Sequence, residues 1–244
     1  MFFDLDGTVT RSRSLIEKEI REILNNFIET NHTITIVSGA QTLQIQKQIE
    51  NLPCYYLGQN GNHAFHGADQ KDIWRRLLSP EQKKEILDHV KSIPRDWPVQ
   101  NENDLVEDRG CQISYSLIGH HEDVSKKEAF DADFAKRRTL IQKYPFESKT
   151  VDIKIGGTTC FDYFERGKNK GYNVAEFISL MKWNKNQCIY LGDALFPGGN
   201  DETVIGVIET FAVKNPTDTL NFLKKQLYST PEVPEYYTPS STRE

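Results

Sequence analysis

The chain has 244 residues, a net charge of −5 and a mean hydropathy of −0.59, which is typical of a soluble protein with one large or two small domains. The mild acidity argues against nucleic acid as a partner. No apolar stretch of about 18 residues predicts a membrane span, and no signal-peptide core is visible. The four cysteines have no paired spacing, so we expect reduced thiols and a cytoplasmic location.

The first motif lies at the start of the chain, where the apolar run Met1–Phe3 leads into Asp4-Leu5-Asp6-Gly7-Thr8. On a strand, Asp4 and Asp6 point to the same side. The first carboxylate can attack phosphorus to form an aspartyl-phosphate, and the second can move the proton of the leaving and entering oxygens. Such chemistry needs a magnesium ion, because a bare carboxylate repels a phosphate. The plainer alternative is a strand that ends in an acidic turn.

An alternating α/β pattern follows. Apolar residues recur at helical spacing from Leu15 to Phe27, and the β-branched run Thr33–Val37 predicts a buried parallel strand. That strand ends in Ser38 and Gly39, which offer a hydroxyl and a free backbone N–H to a phosphate. The pattern then predicts three further elements: a helix over Thr42–Ile49, a strand over Cys54–Leu57 and an Asn-Gly hairpin turn over Gln59–Asn62.

Near Gly67 the pattern changes. Ser79 and Pro80 predict the start of a helix that ends near Ile93. A charged amphipathic stretch, Ser125–Tyr144, lies between the second and third of four strand-like segments, which are Leu105–Arg109, Gln112–Ile118, Val151–Ile155 and Cys160–Phe164. Strands in hairpin order with helices to one side predict a separate α+β module.

The chain then returns to the first pattern. Lys170 precedes a helical apolar stripe and would place a cation beside an anion. The strand Cys188–Leu191 leads into Asp193, and Asn200 and Asp201 follow in a Pro-Gly-Gly loop. These are the hard oxygen ligands that magnesium prefers. We therefore predict a core over residues 1–69 and 165–228, an inserted module over 70–164, and a flexible tail over 229–244.

These four motifs, in this order, resemble those of the haloacid dehalogenase superfamily of aspartate-based phosphotransferases. The loop Gly192–Asp201 and the segment Gly156–Phe164 are similar to those of eukaryotic-type phosphomannomutases, and Arg13 falls where that family keeps an arginine. The resemblance extends to about Leu227. It implies an α/β fold with a Rossmann-like, three-layer parallel-sheet core and an inserted α+β cap.

The resemblance also implies roles in the core. Asp4 is the expected nucleophile and a magnesium ligand, and Asp6 is the expected acid/base, with its carbonyl on the metal. Asp193 is the expected third protein ligand, and Asn200 and Asp201 are further expected residues of the metal site. Asp201 would hold metal waters or Lys170, and Ser38 and Lys170 would cradle the transferring phosphoryl group. The plainer alternative for Asp193 and Asp201 is turn chemistry in glycine-rich loops.

Residues of the expected cap decide the substrate. The family clamps the phosphate remote from the reacting one, and Arg109 keeps one of its arginines. His120 and Lys127 stand where two others would be, Cys160 replaces a serine, and Asp162 keeps an acid suited to sugar hydroxyls. Lysine and histidine cannot replace arginine at a bidentate phosphate site without loss. For His120, a polar loop position remains an equal alternative.

This diluted clamp favours a Mg²⁺-dependent sugar-phosphate phosphatase. The alternative is a phosphomannomutase-like hexose-phosphate mutase, which must hold both ends of a bisphosphate. A non-catalytic binding protein on the same fold is a distant third, because all the core catalytic residues are present. The expected partner is a small phosphorylated sugar, with a homodimer through the cap as a further expectation.

Overall fold

The structure, a computed structural model, describes residues 1–228, so the predicted flexible tail lies outside it. The strands are β1 (Phe2–Asp4), β2 (Thr35–Val37), β3 (Tyr55–Gly58), β4 (His63–His66), β5 (Lys71–Arg75), β6 (Val106–Asp108), β7 (Gln112–Ser116), β8 (Val151–Gly156), β9 (Cys160–Glu165), β10 (Ile189–Gly192) and β11 (Glu209–Ala212). The α-helices are α1 (Lys18–Glu29), α2 (Thr42–Gln48), α3 (Pro80–Ser92), α4 (Val124–Phe130), α5 (Ala135–Lys143), α6 (Lys170–Leu180) and α7 (Pro216–Tyr228).

The larger sheet has seven strands in the order β11-β10-β1-β2-β3-β4-β5. The strands from β11 to β3 are parallel, and β4 and β5 add an antiparallel edge. Phe2 pairs with Tyr190 on one side and with Thr35 on the other, so β1 lies in the interior of the sheet. The predicted α/β, Rossmann-like fold is confirmed, with the antiparallel edge as an addition.

Helices cover both faces of this sheet. On one face, α1 buries Ile20, Leu24 and Phe27 in a cluster that also contains Leu223 of α7. On the other face, α6 packs its apolar side, including Phe177, against the sheet. This arrangement gives the three layers of an α/β core.

The smaller sheet is antiparallel and has the order β6-β7-β9-β8. It shares its own hydrophobic cluster with α3 and α5, to which Ile86 and Leu140 belong. The predicted start of α3 is confirmed: Ser79 accepts a hydrogen bond from the Gln82 backbone, and the Gln82 side chain bonds back to the Ser79 N–H. In sequence, this sheet lies between β5 and α6.

Several predicted boundaries are wrong. The module boundary at residue 70 comes too early, because β5 still pairs with β4 of the larger sheet. Helix α1 begins at Lys18, and Leu15 is 58% exposed. The predicted amphipathic stretch Ser125–Tyr144 contains two helices, and Phe134 lies between them with a left-handed φ of 63°. Within residues 1–228, no helix is both long and apolar enough to cross a lipid bilayer.

Candidate active site

The site lies at the carboxyl ends of three neighbouring parallel strands, where ligands bind in open α/β sheets. Asp4 is the last residue of β1, Ser38 follows β2, and Asp193 follows β10. All three line a cavity of about 720 Å³. Residues from both sheets form the wall of this cavity, so the second sheet covers the end of the first.

Most of the predicted site residues line this one cavity. They are Asp4, Asp6, Arg13, Ser38, Gly39, Arg109, His120, Lys127, Cys160, Asp162, Asp193 and Asn200. Lys170 and Asp201 are almost fully buried behind Asp4.

The buried ammonium of Lys170 holds two carboxylates. Lys170 is the first residue of α6. The Asn169 side chain caps this helix by accepting a hydrogen bond from the Tyr172 N–H. Nζ of Lys170 donates to Oδ1 of Asp4 and, at 2.7 Å, to Oδ1 of Asp201. Burial alone would lower the pKa of Lys170, but the two carboxylates outweigh it and raise the pKa above its usual range. Lys170 is therefore a fixed positive charge beside Asp4.

Asp201 is held by protein groups at both oxygens. Oδ1 accepts from the hydroxyl of Tyr190 at 2.6 Å as well as from Lys170, and Oδ2 accepts from the Ala194 N–H at 3.1 Å. A carboxylate with these contacts positions Lys170, in keeping with the predicted supporting role of Asp201.

The acidic residues around Asp4 fit a magnesium ion. Oxygens of Asp4, Asp193 and Asp201 lie within 4.8 Å of one another. Burial, with the Asp201 charge adding to it, raises the pKa of Asp193 to about 7. Burial also raises the pKa of Asp4. The Lys170 ammonium opposes this shift, and the charges of Asp201 and Asp193 add to it. Hard oxygen donors with excess negative charge suit Mg²⁺. Asp4 and Asp193 line the cavity and Asp201 does not, so Asp4 and Asp193 are the better candidates for Mg²⁺ ligands.

Gly7 allows the loop after β1 to lie directly against the side chain of Asp193, which follows β10. It has a φ of +89°, and a Cβ at this position would collide with Oδ2 of Asp193. Any side chain would therefore be strained and would also push Asp193 away from Asp4. This explains the glycine in the Asp-x-Asp-Gly motif.

Asp6 is oriented by two donors. Its Oδ1 accepts from the Arg13 N–H at 2.8 Å and from Nε2 of Gln48 at 3.0 Å. Sequence reasoning missed Gln48, since a polar residue at the end of a helix gives no signal of its own. The Ser38 N–H donates to the Leu57 carbonyl at 3.0 Å, and the Ser38 hydroxyl oxygen accepts from the Ala40 N–H at 3.0 Å.

Two arginines, Arg13 and Arg109, also line the cavity, and both bond to the same glutamate, Glu107. Nη2 of Arg13 contacts the two carboxylate oxygens of Glu107 at 2.9 and 3.1 Å. Arg109 donates from Nε at 2.9 Å and from Nη2 at 2.6 Å to Oε2 of Glu107. Its Nη1 donates to the Gly39 carbonyl at 2.6 Å. The signal for Glu107 was present in the sequence, because residues two apart on a strand share a side.

His120, Lys127 and Cys160 form a second group on the same wall. His120 is buried and faces the Ser114 carbonyl with Nε2 at 3.2 Å, while its Nδ1 lies 3.8 Å from Sγ of Cys160. Lys127 donates to the His120 carbonyl at 2.8 Å, and burial lowers its pKa. His120 lies buried in the loop after β7, whereas the next residue, His121, is exposed and its ring bonds to Asp104.

Asp162 joins the two sheets. Oδ1 accepts from the hydroxyl of Ser114 at 2.7 Å, and Oδ2 accepts from Nδ2 of Asn60 at 3.3 Å. A Cβ on Gly39 would stand 2.7 Å from Oδ2, so this glycine permits the close approach. The buried pair Arg137–Asp131 also borders the cavity, and its spacing in the sequence gave no indication of it.

Comparisons with known proteins agree with this geometry. A family model described as haloacid dehalogenase-like hydrolase matches residues 1–222. Phosphomannomutase 1 of Dictyostelium discoideum is 30% identical, over 93% of this chain and 95% of that protein. A phosphomannomutase of Spinacia oleracea is 26% identical, over 89% and 91% respectively. The solved structure of SMU.1108c from Streptococcus mutans UA159 has a TM-score of 0.65, at 14% identity, over 93% of this chain and 98% of that one.

The chain therefore belongs to the haloacid dehalogenase superfamily of phosphoryl-transfer enzymes. Within it, the chain falls in the phosphomannomutase-like branch, as its motifs predict.

Proposed function

We propose that the protein is a Mg²⁺-dependent hexose-phosphate mutase that works through an aspartyl-phosphate at Asp4. The observation that carries this proposal is that one cavity is lined both by Asp4, with the Lys170 ammonium behind it, and by a pair of arginines. The arginines are Arg13 and Arg109, which Glu107 holds together. A phosphorylated sugar with a second phosphate would find a partner for each end. The phosphomannomutase relatives support the same choice.

Each residue then has a task. The carboxylate of Asp4 attacks phosphorus, the P–O bond to the sugar breaks, and Asp6 gives a proton to the departing sugar oxygen. Lys170 holds Asp4 in place and offsets the charge that develops on the phosphoryl oxygens. Bound Mg²⁺, held by Asp4 and Asp193, would supply the charge that lets a carboxylate approach a phosphate. In the return step, Asp6 takes the proton from the accepting hydroxyl.

A sugar-phosphate phosphatase is the second candidate, and one observation favours it. Two expected arginine positions of the clamp carry His120 and Lys127, and the Lys127 ammonium already donates to a backbone carbonyl. Weak retention of a second phosphate would let water discharge the aspartyl-phosphate. In either case we propose a phosphorylated sugar as substrate and the cytoplasm as location.

The deciding experiment is a panel of hexose phosphates with Mg²⁺, in which phosphate release and isomerised product are measured in parallel. A hexose 1,6-bisphosphate is added as activator. A mutase gives isomerised product that rises with the activator. Phosphate release without isomerisation would replace the mutase by the phosphatase. Asp4→Asn and excess EDTA should each abolish both products, because an amide is a poor nucleophile and the acidic site loses its cation.

A further inference from the structure

The arginine pair expected to bind the remote phosphate is already engaged by a carboxylate of the chain itself. Glu107 accepts four hydrogen bonds, two from Arg13 and two from Arg109, at 2.6 to 3.1 Å. Arg13 comes from the loop after β1 in the larger sheet, whereas Glu107 lies on β6 of the smaller sheet. The contact therefore forms where the two sheets close the cavity.

The guanidinium groups have their donors directed at protein acceptors. All three nitrogens of Arg109 donate, two to Glu107 and one to the Gly39 carbonyl. Nη1 of Arg13 lies 3.3 Å from a ring nitrogen of His121. A phosphate that approached these arginines would thus have to take over the donors that now serve Glu107.

Glu107 is charged in this environment. Burial alone would raise the pKa of Glu107, but the charges of Arg109, His120 and Arg13 outweigh it and lower the pKa to about 2. Its side chain is 24% exposed, and that of Arg109 is 6% exposed, so water screens the contact only in part. A carboxylate presents two oxygens to a guanidinium much as a phosphate does, so the two compete for the same donors.

We propose that Glu107 is a specificity-determining residue that competes with the remote phosphate of the substrate for Arg13 and Arg109. This inference rests on the proposed function, because it takes the ligand to be a phosphorylated sugar. The competition weakens the grip on a second phosphate. A bisphosphate that is held weakly at its remote end can let go and reorient, whereas a tightly held one would stay in one orientation.

The test compares Glu107→Gln with Glu128→Gln, both in an Asp4→Asn background that prevents turnover. Glu128 is a matched control because it lines the same cavity and pairs with an arginine, Arg11. The substitution Glu128→Gln removes the same charge as Glu107→Gln. Calorimetry with Mg²⁺ measures the dissociation constants of a hexose 6-phosphate and the corresponding 1,6-bisphosphate. Glu107→Gln should raise the preference for the bisphosphate roughly 10- to 100-fold, as expected for removal of a like charge near the phosphate. Glu128→Gln should leave it nearly unchanged.

Three outcomes overturn the proposal: an unchanged preference in Glu107→Gln, a weaker preference, or an equal gain in Glu128→Gln. A weaker preference would mean that Glu107 arranges the arginines for phosphate and does not compete with it. Glu107→Ala serves as a second neutral variant, with folding checked by circular dichroism. Glu107→Asp keeps the charge and should retain weak binding of the bisphosphate.

Inorganic phosphate separates this inference from the proposed function. In equilibrium dialysis, Glu107→Gln should bind one more phosphate per chain than its parent, whereas Glu128→Gln should not. If no hexose phosphate binds to any variant, the proposed function fails. The dialysis with inorganic phosphate still tests whether Glu107 competes with phosphate for the arginines. An unchanged phosphate stoichiometry in Glu107→Gln and Glu107→Ala would refute this competition.

Discussion

At the scale of single residues, the cavity wall contains an unusual thiol. Burial would raise the pKa of Cys160, but His120 and Lys127 outweigh it and lower the pKa to about 6. The other three cysteines are buried, and burial raises the pKa of Cys54, Cys111 and Cys188 because the nearby cations at Cys111 and Cys188 do not outweigh it. The chain thus contains one activated thiol and three internal controls.

We predict that iodoacetamide modifies Cys160 first, with a half-maximal rate near pH 6. The thiolate is the nucleophile, so the rate rises with pH as the thiol loses its proton and levels off above its pKa. Peptide mass spectrometry measures modification at each cysteine across pH. The variant His120→Gln should move the midpoint to higher pH, because the thiolate loses a cationic partner. A midpoint near the usual value of about 8.5, or equal modification of all four cysteines, would contradict the prediction.

Residue by residue, the sequence was informative where a motif sits at a strand end. Asp4, Ser38 and Asp193 lie together because parallel strands bring their carboxyl ends to one edge. The sequence places Glu107 on the same side of a strand as Arg109, but it could not show that Arg13 meets this carboxylate, because that contact depends on how the two sheets meet. It also could not place Gln48 against Asp6. The sequence also could not show that the Lys127 ammonium donates a hydrogen bond to the His120 backbone carbonyl.

At the scale of elements, helix α5 is anchored by a buried ion pair. Nε of Arg137 donates to Oδ2 of Asp131 at 2.7 Å, and Nη1 donates to the carbonyls of Gly156 and Gly157 at 2.9 Å. Both charged side chains are fully buried. This ion pair connects the segment between α4 and α5 to the end of β8, next to the cavity.

We predict that Arg137→Met lowers the free energy of unfolding by about 3–5 kcal/mol, because it leaves the Asp131 carboxylate buried without a partner. Urea denaturation followed by circular dichroism measures the change. Arg138→Met, the same substitution at the next and exposed position of α5, should change stability by less than about 0.5 kcal/mol. Equal effects of the two substitutions would show that the buried pair does not anchor the helix.

The same elements show what the sequence could and could not predict. Apolar periodicity identified α1 and α6, each of which buries an apolar stripe, and the Ser79-Pro80 capping signal identified α3. The sequence showed one amphipathic stretch where α4 and α5 lie. The residue that separates these helices, Phe134, has a left-handed backbone, but phenylalanine is not a residue that signals the end of a helix. The strands β4 and β5 were not predicted, since partial burial leaves their alternation weak.

At the scale of the whole molecule, the two sheets meet through two kinds of contact around the cavity. On the buried side, the Cys111 N–H donates to the Gln59 side chain at 2.8 Å, and Asn60 donates to Gln112 at 2.7 Å. At the rim, Arg11 pairs with Glu128 at 2.7 Å, with side chains 56% and 39% exposed. Exposed pairs of this kind stabilise by less than about 1 kcal/mol, so the rim can open while the buried contacts persist.

We therefore predict that the smaller sheet opens away from the larger one in the absence of ligand and closes when a sugar phosphate binds. Closure would exclude water from the aspartyl-phosphate and bring Arg109 and Asp162 to the substrate held near Asp4. Small-angle scattering of the Asp4→Asn protein should give a smaller radius of gyration with Mg²⁺ and a saturating hexose bisphosphate than without them. Arg11→Ala should expand the ligand-free protein further, because it removes the rim contact, but should leave the ligand-bound radius unchanged. An identical radius with and without saturating ligand, in both proteins, would mean that the cavity is already closed and that substrate enters by another route.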